Sequence, residues 1–472
     1  MSRTALLPCF GLVLAATLSG LSNVSRGDSC SPAWDQSIGQ PGMFGQTGPF
    51  FGGTVLALEV FDDGSGEQVY AGGTFTMAGD QPAQHIARWN GTEWSALSGG
   101  GTSEVLVAGV PAVHALFSFD DGEGKALYAG GAFVRAGGLV VNGIARYDGQ
   151  QWSALGQGMG GSSIVVRDLI EFDGELYAAG SFTQAGGQTV GHVARWDGNQ
   201  WQSLGNGLNN NAVAMTVFDD GNGPALYVGG VFTGFFDASN TLVSSPYLAK
   251  WDGETWSPVG NVQLNSHVSA LAVFDDGDGP ALFAGGLFVW AGGTWAPRIA
   301  RWDGGQWSNV GGGFNDRVRV LEVFDDGTGP ALYAGGELTV ADEFNDTGNG
   351  AVQVNHIARW DGMNWEALEG GVNDEVLSFV RFDHARGPQL ITGGRFTEAN
   401  DVDANYITIW QGCHTPGIVG DLNGDGVVNV FDLLILLEEW GACPDPDDCP
   451  ADIDGDGSVD VFDLLTLLEN WG

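Results

Sequence analysis

The chain has few positive charges. It contains only two lysines, Lys125 and Lys250, and its 17 Lys+Arg stand against 58 Asp+Glu, which gives a formal net charge of −41. Nucleic acids and anionic membrane surfaces attract positive charge, so this composition argues against both as partners. It favours cations as small ligands.

Long apolar runs are also scarce. One such run, residues 5–21, follows Arg3 and leads into small and polar residues, which is typical of a secretory signal. No other stretch reaches the ~20 apolar residues of a membrane-spanning helix. We therefore predict that residues 1–27 are a signal peptide, that the protein has no membrane span, and that it is secreted or held at the cell surface.

Glycine and tryptophan, in contrast, are abundant, with 78 and 17 copies. Residues 54–412 repeat one unit, and each unit carries a pair of small residues after its second apolar run. The second members of successive pairs lie 49 to 58 residues apart (180 − 131 = 49; 131 − 73 = 58). The pairs are Gly72-Gly73, Gly130-Gly131, Ala179-Gly180, Gly229-Gly230, Gly285-Gly286, Gly335-Gly336 and Gly393-Gly394.

Each unit is predicted to form four strands. In the fifth copy, residues 268–313, "VSALAVF" and "RIARW" alternate, "PALFAGG" is a buried apolar run, and "QWSNVG" closes the unit. The intervening "DDGDG" and "DGG" have the composition of tight turns. Four antiparallel strands repeated seven times predict an all-β domain, a seven-bladed β-propeller.

The two ends of the repeat region support this count. The seventh unit stops at residues 407–413, "ITIWQGC", without a fourth strand. Residues 33–42, "AWDQSIGQPG", resemble the fourth-strand segment "QWSALGQG" at 151–158. We predict that this N-terminal strand completes the seventh blade, which closes the ring and removes two exposed sheet edges.

The chain has five cysteines, of which Cys9 lies in the predicted signal. The remaining four suggest two disulfides in an exported protein, among three possible pairings. Cys30 and Cys413 lie next to the strand that closes the ring, so we predict a Cys30–Cys413 bond. This pairing leaves Cys443–Cys449 for the C-terminal region.

The glycine pairs and the later tryptophans resemble those of the kelch-like propeller family over about 360 residues. The resemblance implies a fold more than a function, because propellers include enzymes, receptors and scaffolds.

Three polar features recur within the units. They are the acidic pairs of "FDDG" (Asp62-Asp63, Asp120-Asp121, Asp219-Asp220, Asp275-Asp276, Asp325-Asp326), a cation before the third-strand aromatic residue (Arg88, Arg146, Arg195, Lys250, Arg301, Arg359), and histidines in three units (His85, His192, His356). Their functional interpretations are calcium binding by the acidic pairs, substrate binding by the cations and metal binding by the histidines. The favoured interpretations are structural: tight turns for the acids, and for the cations either pairing with a neighbouring carboxylate or packing on an aromatic ring.

No catalytic residue is predicted. The units contain no nucleophile-elbow serine and no internal cysteine, and paired carboxylates for glycoside hydrolysis stay open as an alternative. Two long loops, residues 233–247 and 340–356, belong to one predicted face of the ring and are candidates for binding a glycan or a protein. Neutral insertion is the other interpretation of these loops.

A different pattern begins after Cys413. Two segments, "DLNGDGVVNVFDLL" from Asp421 and "DIDGDGSVDVFDLL" from Asp452, have the ligand spacing of calcium loops and lie 31 residues apart (452 − 421 = 31). Each runs into a predicted helix. The predicted ligands are Asp421, Asn423, Asp425, the Val427 carbonyl, Asn429 and Asp432 in the first loop, and Asp452, Asp454, Asp456, the Ser458 carbonyl, Asp460 and Asp463 in the second.

These residues resemble a type I dockerin over residues 420–472. The resemblance implies two bound calcium ions, calcium-dependent folding, and docking onto a cohesin-type partner, commonly in assemblies that degrade polysaccharides. The chain differs from many dockerins at the predicted docking surface, where it carries Val430-Phe431 and Val461-Phe462. These pairs either form a hydrophobic docking site or pack one half of the module against the other.

The predicted domains are thus a signal peptide (1–27), a propeller (28–413), a linker (414–419) and a dockerin-like module (420–472). We predict a secreted, calcium-binding interaction protein rather than an enzyme. Its propeller presents a ligand-binding face, and its C-terminal module docks onto a cohesin-like or cell-surface protein. The alternatives are a carbohydrate-active hydrolase or lyase, with the propeller as its catalytic domain, and a surface-layer or adhesion protein.

Overall fold

The structure is a computed structural model. It describes residues 32–45, 53–103, 110–260, 263–342, 350–384, 387–412, 428, 430–438, 440–442, 451, 453 and 458–469. The described residues form mainly strands, with a 3-10 turn at Ser37–Gly39 and two helices near the C-terminus. Seven four-stranded antiparallel sheets account for most of the strands, and we number them 1 to 7 in chain order.

The strands of each sheet follow one another in sequence except in sheet 7. First strands are Val55–Asp62, Ala112–Asp120, Val166–Phe172, Ala212–Asp219, Val268–Asp275, Val318–Asp325 and Val376–His384. Second strands are Glu67–Gly73, Lys125–Ala132, Glu175–Gly180, Pro224–Gly230, Pro280–Gly286, Pro330–Gly336 and Gly387–Gly394. Third strands are Ile86–Trp89, Ile144–Tyr147, Val193–Trp196, Leu248–Trp251, Ile299–Trp302, Ile357–Trp360 and Ile407–Gln411. Fourth strands of sheets 1 to 6 are Trp94–Ala96, Trp152–Ala154, Trp201–Ser203, Trp256–Pro258, Trp307–Asn309 and Trp365–Ala367.

Sheet 7 takes its fourth strand from the N-terminal region. Ala33–Asp35 pairs antiparallel with the third strand of sheet 7, with Trp34 opposite Trp410. The sequence comparison predicted this pairing, because residues 33–42 resemble the fourth strand of another unit. A strand about 376 residues away in sequence (410 − 34 = 376) therefore completes the last sheet and covers its edge.

Two-stranded ribbons join the second and third strands of every sheet. They are Met77–Ala78 with Gln81–Pro82, Arg135–Ala136 with Leu139–Val140, Gln184–Ala185 with Gln188–Thr189, Gly234–Phe236 with Leu242–Ser244, Trp290–Ala291 with Thr294–Trp295, Val340–Ala341 with Val352–Gln353, and Glu398–Ala399 with Val402–Asp403. Met43–Phe44, Thr102–Ser103 and Met159–Gly160 add a third strand to the ribbons of sheets 1, 2 and 3. We call the end of the sheets that carries these ribbons the ribbon face. First strands begin at this face, because the start of each first strand pairs with the end of its second strand.

The sheets contact one another through their first strands. The first strand of each sheet contacts that of the next, and the first strand of sheet 7 contacts that of sheet 1. Apolar cores lie between neighbouring sheets. One core joins Tyr128 of sheet 2 to Leu176 of sheet 3, and another joins Leu58 of sheet 1 to Ile409 of sheet 7. The series of sheet contacts thus returns to its beginning.

The glycine pairs make this packing possible. A Cβ on Gly130 would lie 2.5 Å from a methyl carbon of Val166 in the next sheet, and a Cβ on Gly393 would lie 2.5 Å from one of Val55. The second glycine of each pair faces a backbone carbonyl oxygen at the start of the first strand or just before it, where a Cβ would also clash. Sheet 3 departs from the pattern, because it has Ala179 in place of the first glycine. Sheet 4 correspondingly has Ala212 in place of valine, and the two alanines share one core.

The C-terminal region contains two helices, α1 (Val430–Glu438) and α2 (Val461–Glu469), and the short antiparallel strands Gly441–Ala442 and Ser458–Val459. Its core is small. Val428, Leu436, Ala451, Val459 and Leu467 are fully buried and pack together. Two pairs in this core, Val428 with Val459 and Leu436 with Leu467, keep the 31-residue offset between the two halves (459 − 428 = 31).

Candidate functional site

The acidic pairs of the repeats serve the turns. The first aspartate of each pair accepts hydrogen bonds from two glycine N–H groups. Asp62 Oδ1, for example, accepts from Gly64 at 2.8 Å and from Gly66 at 3.0 Å. The same arrangement occurs at Asp120, Asp219, Asp275 and Asp325. These bonds support the turn interpretation, because each carboxylate satisfies the backbone of its own hairpin.

The second aspartate pairs with the cation before the third-strand aromatic residue. Lys250 Nζ lies 2.6 Å from Asp220, and Arg301 Nε lies 3.0 Å from Asp276. Arg88, Arg146 and Arg359 pair likewise with Asp63, Asp121 and Asp326, and in sheet 3 Arg195 pairs with Glu175. Each pair joins the third strand of a sheet to the hairpin of its first two strands, so these cations have a structural role.

The three histidines share a backbone position rather than a site. His85, His192 and His356 have φ of 67°, 67° and 70°, and each directly precedes a third strand. Gly143, Tyr247, Arg298 and Tyr406 have positive φ at the corresponding positions of the other sheets. The residues that the structure describes contain no group of three or more His, Cys, Asp or Glu side chains suited to hold a metal.

The predicted calcium ligands lie partly outside the described residues. The predicted ligands outside the described residues are Asp421, Asn423, Asp425, Val427, Asn429, Asp452, Asp454 and Asp456. The four cysteines predicted to form disulfides, Cys30, Cys413, Cys443 and Cys449, and the side chain of Phe431 also lie outside them. Asp432, Ser458, Asp460 and Asp463 are described. Asp432 and Asp463 are both fully buried, although a carboxylate is expensive to bury without compensation.

The second loop shows how such a carboxylate is held. Asp463 lies in the first turn of α2, where one of its oxygens accepts the Ile453 N–H and the other accepts the Asp460 N–H, each at 2.7 Å. It therefore connects Ile453, near the start of the loop sequence, to Asp460, near its end. Its place in the first turn of the helix, turned back toward the loop, is that of the last ligand of a calcium loop. The residues present thus fit calcium, with oxygen donors and a buried negative charge for the ion to compensate.

The exposed faces of the two helices are apolar and equivalent. Val430, Leu434 and Leu437 of α1 are about half exposed, as are their counterparts 31 residues later, Val461, Leu465 and Leu468 of α2. Phe462 is 59% exposed. Their spacing of i, i+4 and i+7 places each set on one helix face. Of the residues predicted to dock or to pack between halves, Val430, Val461 and Phe462 thus lie on the surface.

Sequence reasoning missed the four leucines of these faces. The helical spacing could have revealed them, because Leu436 and Leu467, which are buried, occupy the opposite side of each helix.

A cavity lies among the first strands. Each first strand has a register irregularity near its start, where one residue is left out of the pairing. Those seven residues, one from each sheet, all line two adjoining cavities of about 250 and 380 Å³. They are Leu56, His114, Arg167, Val213, Ser269, Arg319 and Leu377. β-Bulges commonly aim a side chain in this way.

The first strands also carry three carboxyl groups with raised pKa values. Burial raises the pKa of Glu59, of Glu322 and of Asp168 to about 7 in each case. The charge of Glu59 adds to the effect of burial at Glu322, which Arg381 opposes. Asp168 accepts the N–H groups of Met215 at 2.6 Å and of Leu169 at 2.9 Å, so its oxygens are occupied by the backbone.

Both long loops lie on the ribbon face. Residues 233–247 form the ribbon of sheet 4, in which Phe235 opposes Val243. Residues 340–356 form the ribbon of sheet 6, of which 343–349 lie outside the described residues. Within the described residues, no helix is long and apolar enough to cross a membrane.

Two helices with one offset, each with an aspartate buried at its start and each preceded in the sequence by the ligand spacing of a calcium loop, are typical of a paired calcium-loop module. Residues 419–470 match the family model of the dockerin type I domain. The chain therefore carries a type I dockerin domain near its C-terminus, which is a calcium-binding module that docks onto cohesin partners.

No curated protein matches the chain. Among solved structures, it is similar to the computationally designed Ika8 protein, with 15% identity, a TM-score of 0.42, and coverage of 80% of this chain and 100% of that one.

Proposed function

We propose that the seven sheets are the blades of a closed, kelch-like β-propeller. Three observations support the proposal: the first strands contact one another in a series that returns to sheet 1, Ala33–Asp35 completes sheet 7, and one residue from each sheet lines a common cavity. A closed ring leaves no sheet edge free between the first and last blades. The domain bounds 28–413 and 420–472 and the disulfides Cys30–Cys413 and Cys443–Cys449 belong to this proposal.

The protein acts as a secreted interaction protein in this proposal. Its signal peptide (1–27) directs export, its dockerin module binds two calcium ions, and that module docks the propeller onto a cohesin-like or cell-surface partner, in an assembly that degrades polysaccharide. The ribbon face, with its two long loops, presents a binding surface for a glycan or a protein. The observation that best supports docking is the pair of equivalent apolar faces on α1 and α2. Both helices lie in a segment that matches the dockerin family.

Capture from the organism's exported proteins tests the docking. Immobilised full-length protein is expected to retain a cohesin-like partner in calcium and to release it in chelator. Leu465→Ser should weaken capture at least about tenfold, because it removes apolar area from the centre of the face on α2.

Met363→Ser is the matched control, since Met363 is also exposed and apolar but lies in a turn of sheet 6. Equal capture by both variants, or capture that is independent of calcium, would contradict the proposal.

A second candidate function is cleavage of polysaccharide by the propeller, acting as a glycoside hydrolase or a lyase, and one observation favours it. Glu59 and Glu322 lie on the first strands of sheets 1 and 6 and have pKa values raised to about 7, mainly by burial. A general acid that is protonated near neutral pH is what glycoside hydrolysis needs. On this alternative, release of reducing sugar from a polysaccharide would fall by about 100-fold or more in Glu59→Gln or Glu322→Gln.

The same two groups predict a pH dependence of stability. Their folded-state pKa of about 7 exceeds the ordinary glutamate value of 4.5, so the folded protein binds more protons than the unfolded chain between these values. The free energy of unfolding should therefore fall as pH rises from 4.5 to 7, by up to about 3 kcal/mol per group.

Urea denaturation in saturating calcium measures this change. The double variant Glu59→Gln/Glu322→Gln is expected to lose the part of the fall that these two groups cause, since glutamine does not titrate in this range. It should keep the part due to Asp168, because burial raises the pKa of Asp168 to about 7 as well. An unchanged slope in the double variant would show that these carboxyls are not the cause.

A further inference from the structure

We propose that the cavity at the ribbon face binds an oxyanion, a carboxylate or sulfate group, through Arg167, Arg317 and Arg319. The proposal concerns the repeat region alone and is independent of the partner that the dockerin module docks onto. The chain as a whole is strongly acidic, so a local concentration of arginines needs an explanation of its own.

The arginines reach the cavity from two sheets. Arg167 and Arg319 are the bulged residues of sheets 3 and 6, and Arg317 directly precedes the first strand of sheet 6. All three line the cavity of about 380 Å³, whose lining contains no Asp or Glu. His114 completes the set. Burial, with the positive charge of Arg167, lowers the pKa of His114 to about 4, so this ring is neutral at pH 7.

The negative charge around the cavity does not balance the arginines. Arg319 lies 2.5 Å from Glu337 and 3.8 Å from Glu375, and Arg395 also faces Glu375 at 3.6 Å. Arg317 donates to the hydroxyl of Ser269 from Nε at 3.0 Å and from a terminal nitrogen at 2.8 Å, and Glu337 and Glu375, the same two glutamates, are the negative charges that act on it. Four arginines, Arg167 included, thus face two glutamates.

Arg167 is the least compensated of them. Within the described residues it makes no hydrogen bond or ion pair, and its side chain is open to the cavity. Burial lowers its pKa, and Arg319 lowers it further, so the two guanidinium groups repel each other. An anion placed between them would relieve that repulsion. Guanidinium groups bind carboxylate and sulfate-type oxygens in a planar, two-pronged geometry.

The cavity opens toward the side of the molecule that carries the long loops. Asn211 and Arg317 precede first strands, and Val231 follows a second strand, so these lining residues mark the ribbon face. Its volume suits a single anionic group or one sugar ring. A longer ligand that carries the group could then extend across the ribbons.

Isothermal titration calorimetry of the full-length protein tests the site, with sodium sulfate and sodium galacturonate as separate probes in low-salt, calcium-containing buffer. We expect one-to-one saturable binding of at least one probe. Tighter binding of sulfate would indicate an inorganic or sulfated ligand, and tighter binding of galacturonate would indicate a carboxylated sugar. Arg167→Gln should weaken the binding by about tenfold or more, the usual consequence of losing one charged hydrogen-bond donor.

Arg135→Gln is the matched control, because Arg135 lies on the ribbon of sheet 2 and does not line the cavity. It should leave the affinity unchanged within about twofold. Absence of binding by both probes, or equal affinities of the wild type and Arg167→Gln, would overturn the proposal. Since Arg167 has no partner in the described residues, its replacement should not unfold the protein, and a circular dichroism spectrum checks this.

Discussion

Replacing Trp34 by alanine is expected to lower the free energy of unfolding by about 3–5 kcal/mol. Trp34 is only 9% exposed and packs edge-on against Trp410, with ring centroids 5.1 Å apart. Its indole N–H also donates to the Leu368 carbonyl at 3.1 Å. These contacts attach the N-terminal strand to sheets 6 and 7, so the substitution removes both a large buried ring and a buried hydrogen bond.

Urea denaturation followed by far-ultraviolet circular dichroism measures the loss. Trp290→Ala is the control, because Trp290 is 44% exposed and belongs to the ribbon of sheet 5. It should cost less than about 1 kcal/mol. Similar losses in the two variants would contradict the role assigned to Trp34, and so would the absence of any loss in Trp34→Ala.

The repeat in the sequence predicted the four-stranded units of the fold. Four short strands per unit, the tight turns between them and the N-terminal strand that completes the last unit all follow from alternation, glycine and tryptophan. The repeat did not reveal why each unit needs its glycine pair. Position 130 needs glycine because a Cβ there would clash with Val166 of the next sheet, and only the packing of the two sheets shows this contact.

The cavity could not be predicted from the repeat. A bulge adds one residue, which reverses the side-chain alternation at that point, and the sequence does not mark where this happens. The bulged position also differs from unit to unit. It is leucine at 56, arginine at 167 and serine at 269, so aligning the units conceals it. By contrast, the cations before the third-strand aromatic residues repeat, and their structural role was predicted for that reason.

The C-terminal module was predicted from ligand spacing, and the match to the dockerin family supports it. Spacing alone did not decide whether the valine and phenylalanine residues beside the last ligand pack inside or dock outside. The structure exposes Val430, Val461 and Phe462, while Leu436 and Leu467 form the core between the two halves. The physical reason is the 3.6-residue period, since Asp432 and Asp463 must point inward and so turn the preceding residues outward.

The second large effect is expected at the calcium loops. Asp463→Ala removes a fully buried carboxylate whose two oxygens accept the Ile453 and Asp460 N–H groups, and which we predict to be the last calcium ligand of its loop. Each lost charged hydrogen bond is worth about 1.5–3 kcal/mol, so the loss is about 3 kcal/mol or more before the ion is considered. Because metal affinity and folding are coupled, the variant module should stay unfolded at calcium concentrations that fold the wild type.

Calcium titration calorimetry of the full-length protein is the measurement. The wild type should bind two ions, and Asp463→Ala should lose at least one of them, together with calcium-dependent capture of the partner. Thr466→Ala provides the control on the same helix, because the Thr466 hydroxyl donates to the Phe462 carbonyl at 2.9 Å and is not a predicted ligand. Two ions bound by Asp463→Ala with wild-type affinity would show that the last ligand is not Asp463. Loss of binding in Thr466→Ala as well would show that the effect comes from helix stability rather than from the carboxylate.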